Sequence, residues 1–159
     1  MKVILVKATL RDAEELYQMQ IITFKSLLDK YQDFDLSPGN EKLEKTIDRI
    51  KEEITDYYVI KFDKYSVGGI RIRRYEEGTL CKVGPLYIIP QYQNKGIAQE
   101  VFRIIEEKYK PEKGWILDTI LQEKGNCYLY EKIGYRKTGR IENINEKMDI
   151  VYYEKRVEI

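Results

Sequence analysis

The stretch Gln93-Asn94-Lys95-Gly96-Ile97-Ala98 has the residue types and spacing of an anion-binding turn. It follows an apolar run, Leu86-Tyr87-Ile88-Ile89, that reads as a strand. It opens a segment, Ile97 to Tyr109, that reads as a helix. The first backbone N–H groups of a helix have no intrahelical acceptor, and the helix dipole is positive there. A phosphate placed in such a turn accepts several of those hydrogens at once. Gly96 lets the backbone come close to a ligand because it has no Cβ. Ala98 is small and keeps the next turn open, and Lys95 adds a positive charge at the mouth. Taken alone, the same residues also fit an ordinary strand–turn–helix that starts on a glycine.

Other chemistries are excluded by what is missing. The chain has no histidine. This removes Ser-His-Asp and Cys-His catalysis and most catalytic zinc sites, so no metal is expected. Its two cysteines, Cys81 and Cys127, are too few for a disulfide framework or a four-thiolate zinc site. Each reads as a small buried hydrophobe. Lys95-Gly96 is followed by Ile97 rather than a hydroxyl residue, which disfavours a P-loop kinase. A general acid or base must therefore come from Tyr, Asp, Glu, Lys, Cys, a terminus or water.

With 159 residues the chain is expected to form one domain, 1–159, large enough to bury a core. Charged residues are 35% of the sequence, yet the formal net charge is +1. Lys and Arg are scattered, which argues against a nucleic-acid partner. No apolar run approaches the roughly 20 residues needed to span a bilayer. The start, Met1 to Lys7, is too short for a signal peptide. A cytoplasmic protein without membrane association is the expectation.

The elements that must position the turn follow in order. Val3 to Lys7 reads as a strand, and Thr9-Leu10-Arg11-Asp12 has the form of a capping box. Helical periodicity runs through Leu16, Met19 and Ile22 toward Phe24, Leu27 and Leu28, with a break or bend before Leu28 left open. Tyr31 to Gly39 reads as a loop. Leu43, Ile47, Ile50 and Ile54 predict a second amphipathic helix. Strands are expected at Tyr57–Phe62, Ser66–Arg74 and Thr79–Ile89, the last bent or bulged at Gly84-Pro85 because proline removes a ladder donor. Ala98, Val101, Phe102 and Ile105 mark the core face of the helix after the turn. Trp115–Leu121 reads as a strand and Cys127–Ile133 as a short helix that Asn126 could cap. Tyr135–Ile141 and Met148–Val157 close the chain, joined by Glu142 to Lys147. This order predicts a mixed α/β sheet of seven strands with helices on both faces.

The turn resembles the Gln/Arg-x-x-Gly-x-Gly/Ala signature of the GNAT superfamily of N-acyltransferases. Leu86 to Pro90 looks like the family's strand end, and the element order matches nearly throughout. Asn126-Cys127-Tyr128-Leu129-Tyr130-Glu131-Lys132-Ile133-Gly134-Tyr135 resembles the family's closing "N…LYEKLGF" segment. The resemblance implies the acyl-CoA N-acyltransferase fold and acetyl-CoA-dependent N-acetyl transfer to an amine acceptor, by direct attack in a ternary complex. It implies that backbone N–H groups of Gln93, Asn94, Lys95, Gly96, Ile97 and Ala98 hold the pyrophosphate. Leu86, Tyr87 and Ile88 would pair with the pantetheine amides like an added strand. Tyr130 matches the family tyrosine that serves the leaving thiolate. Lys95, Arg103 and Lys132 are candidates for the 3′-phosphate. The usual asparagine lies seven residues before the tyrosine, where this chain has Glu123, so Asn126 either reaches the cofactor or caps the helix. Asp118, late in the fifth strand, is the best placed carboxylate for a general base. Acceptor recognition is expected from Ile22–Asn40 and Asn143–Asp149, with Phe24, Leu28, Tyr31 and Phe34 as walls and Asp29, Asp33 and Asp35 as charges. Family members are often homodimers. The alternative on the same fold is a CoA-binding sensor or interaction module without turnover.

Overall fold

Alternating and continuous apolar runs, separated by short polar turns, fold into one seven-stranded sheet in the computed structural model, which describes residues 2–157. The strands are β1 (Val3–Lys7), β2 (Thr55–Phe62), β3 (Tyr65–Tyr75), β4 (Leu80–Ile88), β5 (Gly114–Ile120), β6 (Arg136–Asn145) and β7 (Met148–Lys155). The helices are α1 (Ala13–Tyr31), α2 (Leu43–Lys51), α3 (Ile97–Lys108) and α4 (Lys124–Lys132). The sheet order is β1-β2-β3-β4-β5-β7-β6. All neighbours are antiparallel except β4 and β5, which the α3 crossover makes parallel. The expected mixed sheet with helices on both faces is present.

The two faces carry separate cores. On one side Ile97, Val101, Phe102 and Ile105 of α3 pack with Trp115, Tyr135 and Tyr153. On the other, Leu16 and Met19 of α1 pack on Tyr57, Val59 and Tyr87. The Tyr87 hydroxyl donates to the Leu16 carbonyl at 3.1 Å and lies 2.5 Å from the Tyr57 hydroxyl. This satisfies two phenols that burial would otherwise penalise. Tyr87 fits because Gly69 lies beneath it. A Cβ on Gly69 would meet the Tyr87 hydroxyl at 2.5 Å, and one on Gly68 would meet the Tyr87 carbonyl oxygen at 2.0 Å.

One local alternative is closed and two local expectations are corrected. α1 runs unbroken through Leu28 and ends only at Gln32, which is left-handed at φ 55; no Gly or Pro interrupts its interior. α2 stops at Lys51 rather than reaching Ile54, because the Glu52 carboxylate is drawn to the Thr55 hydroxyl and the Arg73 guanidinium, each at 2.7 Å. The last hairpin turns tightly after Asn145, so β6 takes in much of the segment expected to be a loop. Among the described residues no helix is long and apolar enough to cross a membrane.

Gly68→Ala is expected to destabilise the protein by about 1–3 kcal/mol, since the obstacle is backbone and cannot swing aside. Urea unfolding should show a lower midpoint with an unchanged slope.

Candidate active site

The break in β4 creates the site. Gly84, at φ 146, and Pro85 follow Val83, and the β3–β4 register shifts between Ile70 and Ile72. Before the break, β4 pairs with β5 through Leu80, Cys81 and Lys82. Beyond it that ladder ends, while β4 stays paired to β3 through Leu86, Tyr87 and Ile88. The two parallel strands therefore diverge, and one edge of β4 is left without a strand neighbour. The bend expected at Gly84-Pro85 is where the strands part.

The turn after β4 is shaped for an anion. Gln93 is engaged in the turn itself: its amide donates to the Pro90 carbonyl at 3.2 Å and its side chain to the Ile88 carbonyl at 2.8 Å. Asn94 (φ 61) and Gly96 (φ 81) are both left-handed, which turns successive amides to one side. Gly96 is the N-cap of α3 and supplies no side-chain cap. Among the described residues the amides of Asn94 to Gln99 have no backbone acceptor. A Cβ on Gly96 would meet nothing within 4 Å, so the space in front of the turn is open. Ile97 is buried in the core, and only its backbone faces the turn. An open cradle and unsatisfied amides fit a pyrophosphate. Beside it, Gly96, Gln99, Arg103 and Ile133 border a pocket of about 330 Å³. Arg103 is held there by Glu100 at 2.5 Å and Glu107 at 3.0 Å, while Lys95 and Lys132 are exposed.

A cleft of about 760 Å³ lies where the strands part, bordered by Leu86, Asp118, Asn126 and Tyr130 and reaching Phe24 of α1 and Arg71 of β3. The Tyr130 ring is set by edge contacts with Phe102, Tyr135 and Tyr153, at centroid distances of 5.8, 6.2 and 6.0 Å. Burial, reinforced by the nearby Asp118 and Cys127, pushes its phenol up to about 12. It therefore carries its proton throughout the physiological range. Asp118 pairs with Lys82 at 3.1 Å across the root of the opening.

Asn126 does not cap α4. The N-cap is Glu123, and Asn126 lies within the first turn, exposed and bordering the cleft. Glu123 is held instead by Lys30 at 2.8 Å and Tyr31 at 2.5 Å, which ties the end of α1 to the start of α4. Tyr31 is thus buried in a structural tether rather than forming an acceptor wall. Phe34 points outward at 57% exposure, and Leu28, Asp29 and Asp35 do not border the cleft; Phe24 and Asp33 do. Sequence reasoning missed Lys82, Arg71 and Glu142, all of which border the cleft from strands. No local motif marks them, because each is brought in by strand register. Cys81 and Cys127 are both buried and free, as expected.

The model of the acetyltransferase (GNAT) domain matches residues 27–157. The chain belongs to the GNAT family. It is an acetyl-CoA-dependent N-acetyltransferase, and acetyl-CoA is the family's acyl donor. No curated protein sequence matches it. Solved acetyltransferase structures share its fold at low identity. The ribosomal-protein-S18-alanine N-acetyltransferase from Escherichia coli superposes at a TM-score of 0.78 with 8% identity, covering 99% of this chain and 96% of that one. An acetyltransferase from Thermus thermophilus gives 0.76 with 12% identity over 98% and 97% of the two chains. Spermidine N-acetyltransferase from Vibrio cholerae, in complex with CoA and spermine, gives 0.75 with 16% identity over 96% and 94%.

Two outcomes are expected. Acetyl-CoA at about a hundred times its dissociation constant should stabilise the GNAT domain by about 2.7 kcal/mol. Gly96→Trp should erase that shift in thermal unfolding, because the indole fills the open cradle. The second concerns alkali. Burial raises the phenols of Tyr87, Tyr109, Tyr130, Tyr135 and Tyr153 in the fold. The native state therefore holds more protons than the unfolded chain above about pH 10. Stability should be full below that pH and fall as pH rises toward 12, with tyrosinate absorbance appearing together with unfolding.

Proposed function

We propose that the chain transfers the acetyl group of acetyl-CoA directly to a primary amine, both substrates being bound together in the cleft. The reading rests on one arrangement: an anion cradle at the start of α3, an open β4 edge beside it, and a protonated tyrosine on the facing α4. Amides of Asn94, Lys95, Gly96, Ile97 and Ala98 hold the pyrophosphate, and Gln93 keeps the turn in shape. The free edge of Leu86, Tyr87 and Ile88 receives the pantetheine amides in the way a sheet edge receives a strand. Asn126 borders this path. Arg103 and the exposed Lys95 and Lys132 are placed to meet the nucleotide phosphates.

In the transfer the amine nitrogen bonds to the thioester carbon, the C–S bond breaks and coenzyme A leaves as a thiolate. The amine loses one proton and the thiolate gains one. Tyr130, at the border of the cleft, offers its O–H to the developing charge on sulfur. Its phenol lies about 12, whereas an ordinary thiol is near about 8.5, so full proton transfer from phenol to thiolate is uphill. Tyr130 therefore acts as a hydrogen-bond donor, and the proton released by the amine balances the thiolate in the end. Asp118, held by Lys82, is the carboxylate nearest in role to receive that amine proton, directly or through water. The Escherichia coli and Vibrio cholerae proteins are named for an alanine of ribosomal protein S18 and for spermidine respectively, so the shared fold leaves acceptor choice to the lining of the cleft. Two free buried thiols support a cytoplasmic location.

Tyr130→Phe is expected to lower kcat about 100-fold, in the range for losing one donor to a developing charge. The acetyl-CoA thermal shift should stay unchanged, because the ring contacts remain. An unaltered kcat would reduce Tyr130 to a packing residue.

A further inference from the structure

Among the described residues Arg71 is a buried cation that no carboxylate pairs with. It is 7% exposed, and its Nε is buried with no acceptor. It sits opposite the β4 break: Ile70 pairs with Leu86 and Ile72 with Val83, so Arg71 has no β4 partner and Gly84-Pro85 bulges past it. Its guanidinium lies 5.8 Å from the centroid of the Tyr57 ring and borders the large cleft. Burial and the neighbouring Arg49 lower its pKa to about 10, which leaves it charged at neutral pH.

The carboxylates around it are committed elsewhere. Glu41 accepts Arg49 at 2.5 and 2.8 Å and Gln20 at 2.9 Å. Glu52 takes Arg73 at 2.7 Å, and Asp118 takes Lys82 at 3.1 Å. Glu142 accepts the Tyr152 hydroxyl at 2.9 Å. Asp33 and Asp48 also border the cleft and make no ion pair with Arg71 among the described residues. Glu41, the carboxylate on which the charges of both Arg49 and Arg71 act, is already bonded to Arg49 on both oxygens. A buried, unpaired charge is costly and is normally compensated. A guanidinium resting on an aromatic ring with unused N–H groups is suited to a planar or tetrahedral oxyanion.

We propose that Arg71 receives an anionic group of the acceptor, so that the preferred acceptor is a small amine carrying a carboxylate or phosphonate-type oxyanion. Arg71 then positions the acceptor while its amine attacks the thioester. The inference rests on the acetyl-transfer reading and adds the substrate class.

The test measures coenzyme A release with the standard amino acids, their carboxamides and spermidine, for the natural protein, Arg71→Met and Arg71→Lys. Free amino acids should be preferred over their carboxamides by about 100-fold in kcat/KM, a margin in keeping with loss of a charge-assisted pair. Arg71→Met should erase the preference mainly through KM, and Arg71→Lys should restore part of it. Arg71→Met should also leave the ligand-free unfolding midpoint unchanged or raised, because it removes an unpaired buried charge, whereas a residue needed for the fold would lower it. The acetyl-CoA thermal shift should be unaffected. Equal use of acids and carboxamides, a preference that survives in Arg71→Met, or acetyl-CoA binding without acetylation of any amine tested would overturn the anionic subsite. Loss of the acetyl-CoA shift in Arg71→Met would overturn it too, by assigning Arg71 to the cofactor. Failure of the natural protein both to respond to acetyl-CoA and to acetylate any amine would instead remove the transfer reading beneath it.

Discussion

The divergence of β4 from β5 at Gly84-Pro85 is the constraint on which the rest of the site depends. A parallel pair satisfies its backbone along its whole length when it stays in register. Here the ladder stops after Lys82, so the next residues of β4 keep β3 as their only strand partner. An unsatisfied strand edge inside a domain is costly unless water or a ligand meets it. The cleft supplies that access. The same break interrupts β3–β4 pairing opposite Arg71, so one irregularity both frees the β4 edge and opens the cleft beside it.

Rigid parts hold this opening in place. Gly68 and Gly69 let β3 approach the backbone and ring of Tyr87, which fixes β4 beyond the break. The Gln93 side chain returns to the Ile88 carbonyl and closes the turn onto the strand it follows. On the far wall, Phe102, Tyr135 and Tyr153 surround the Tyr130 ring, so α3, α4 and the β7 face form one packed group. Glu123, joined to Lys30 and Tyr31, ties α1 to α4 across the mouth. Position seven before the tyrosine thus carries a structural bond in this chain, and Asn126, one turn into the helix, is left at the cleft.

The charges of the cleft are mostly arranged in pairs: Arg49 with Glu41, Arg73 with Glu52, Lys82 with Asp118. Such pairs set the shape of the walls more than they add stability, since desolvation offsets much of the attraction. Against that background an unpaired guanidinium has a different meaning. Arg71 is buried deeply enough for the missing partner to matter, and its position at the break sets it on the wall of the cleft.

Much of the architecture is determined by sequence alone. Strand and helix periodicity, the Gly-Pro interruption in β4 and the turn from Gln93 to Ala98 are local features. They are legible because each depends on residues close together in the chain. The strand of Asp118 and the helix of Tyr130 are legible in the same way, and the fold sets both residues on the cleft. Tertiary structure decided the rest. Whether Asn126 caps or faces the cleft depended on where α4 began, which Glu123 settles through contacts with α1. That Tyr31 is a tether, and that Phe34 faces outward, depended on how α1 docks. The isolation of Arg71 is a property of its surroundings rather than of its type, because five arginines and lysines near the cleft look alike in sequence. Its burial, the register of β3 against a broken β4 and the prior commitment of Glu41 separate that cation from the others.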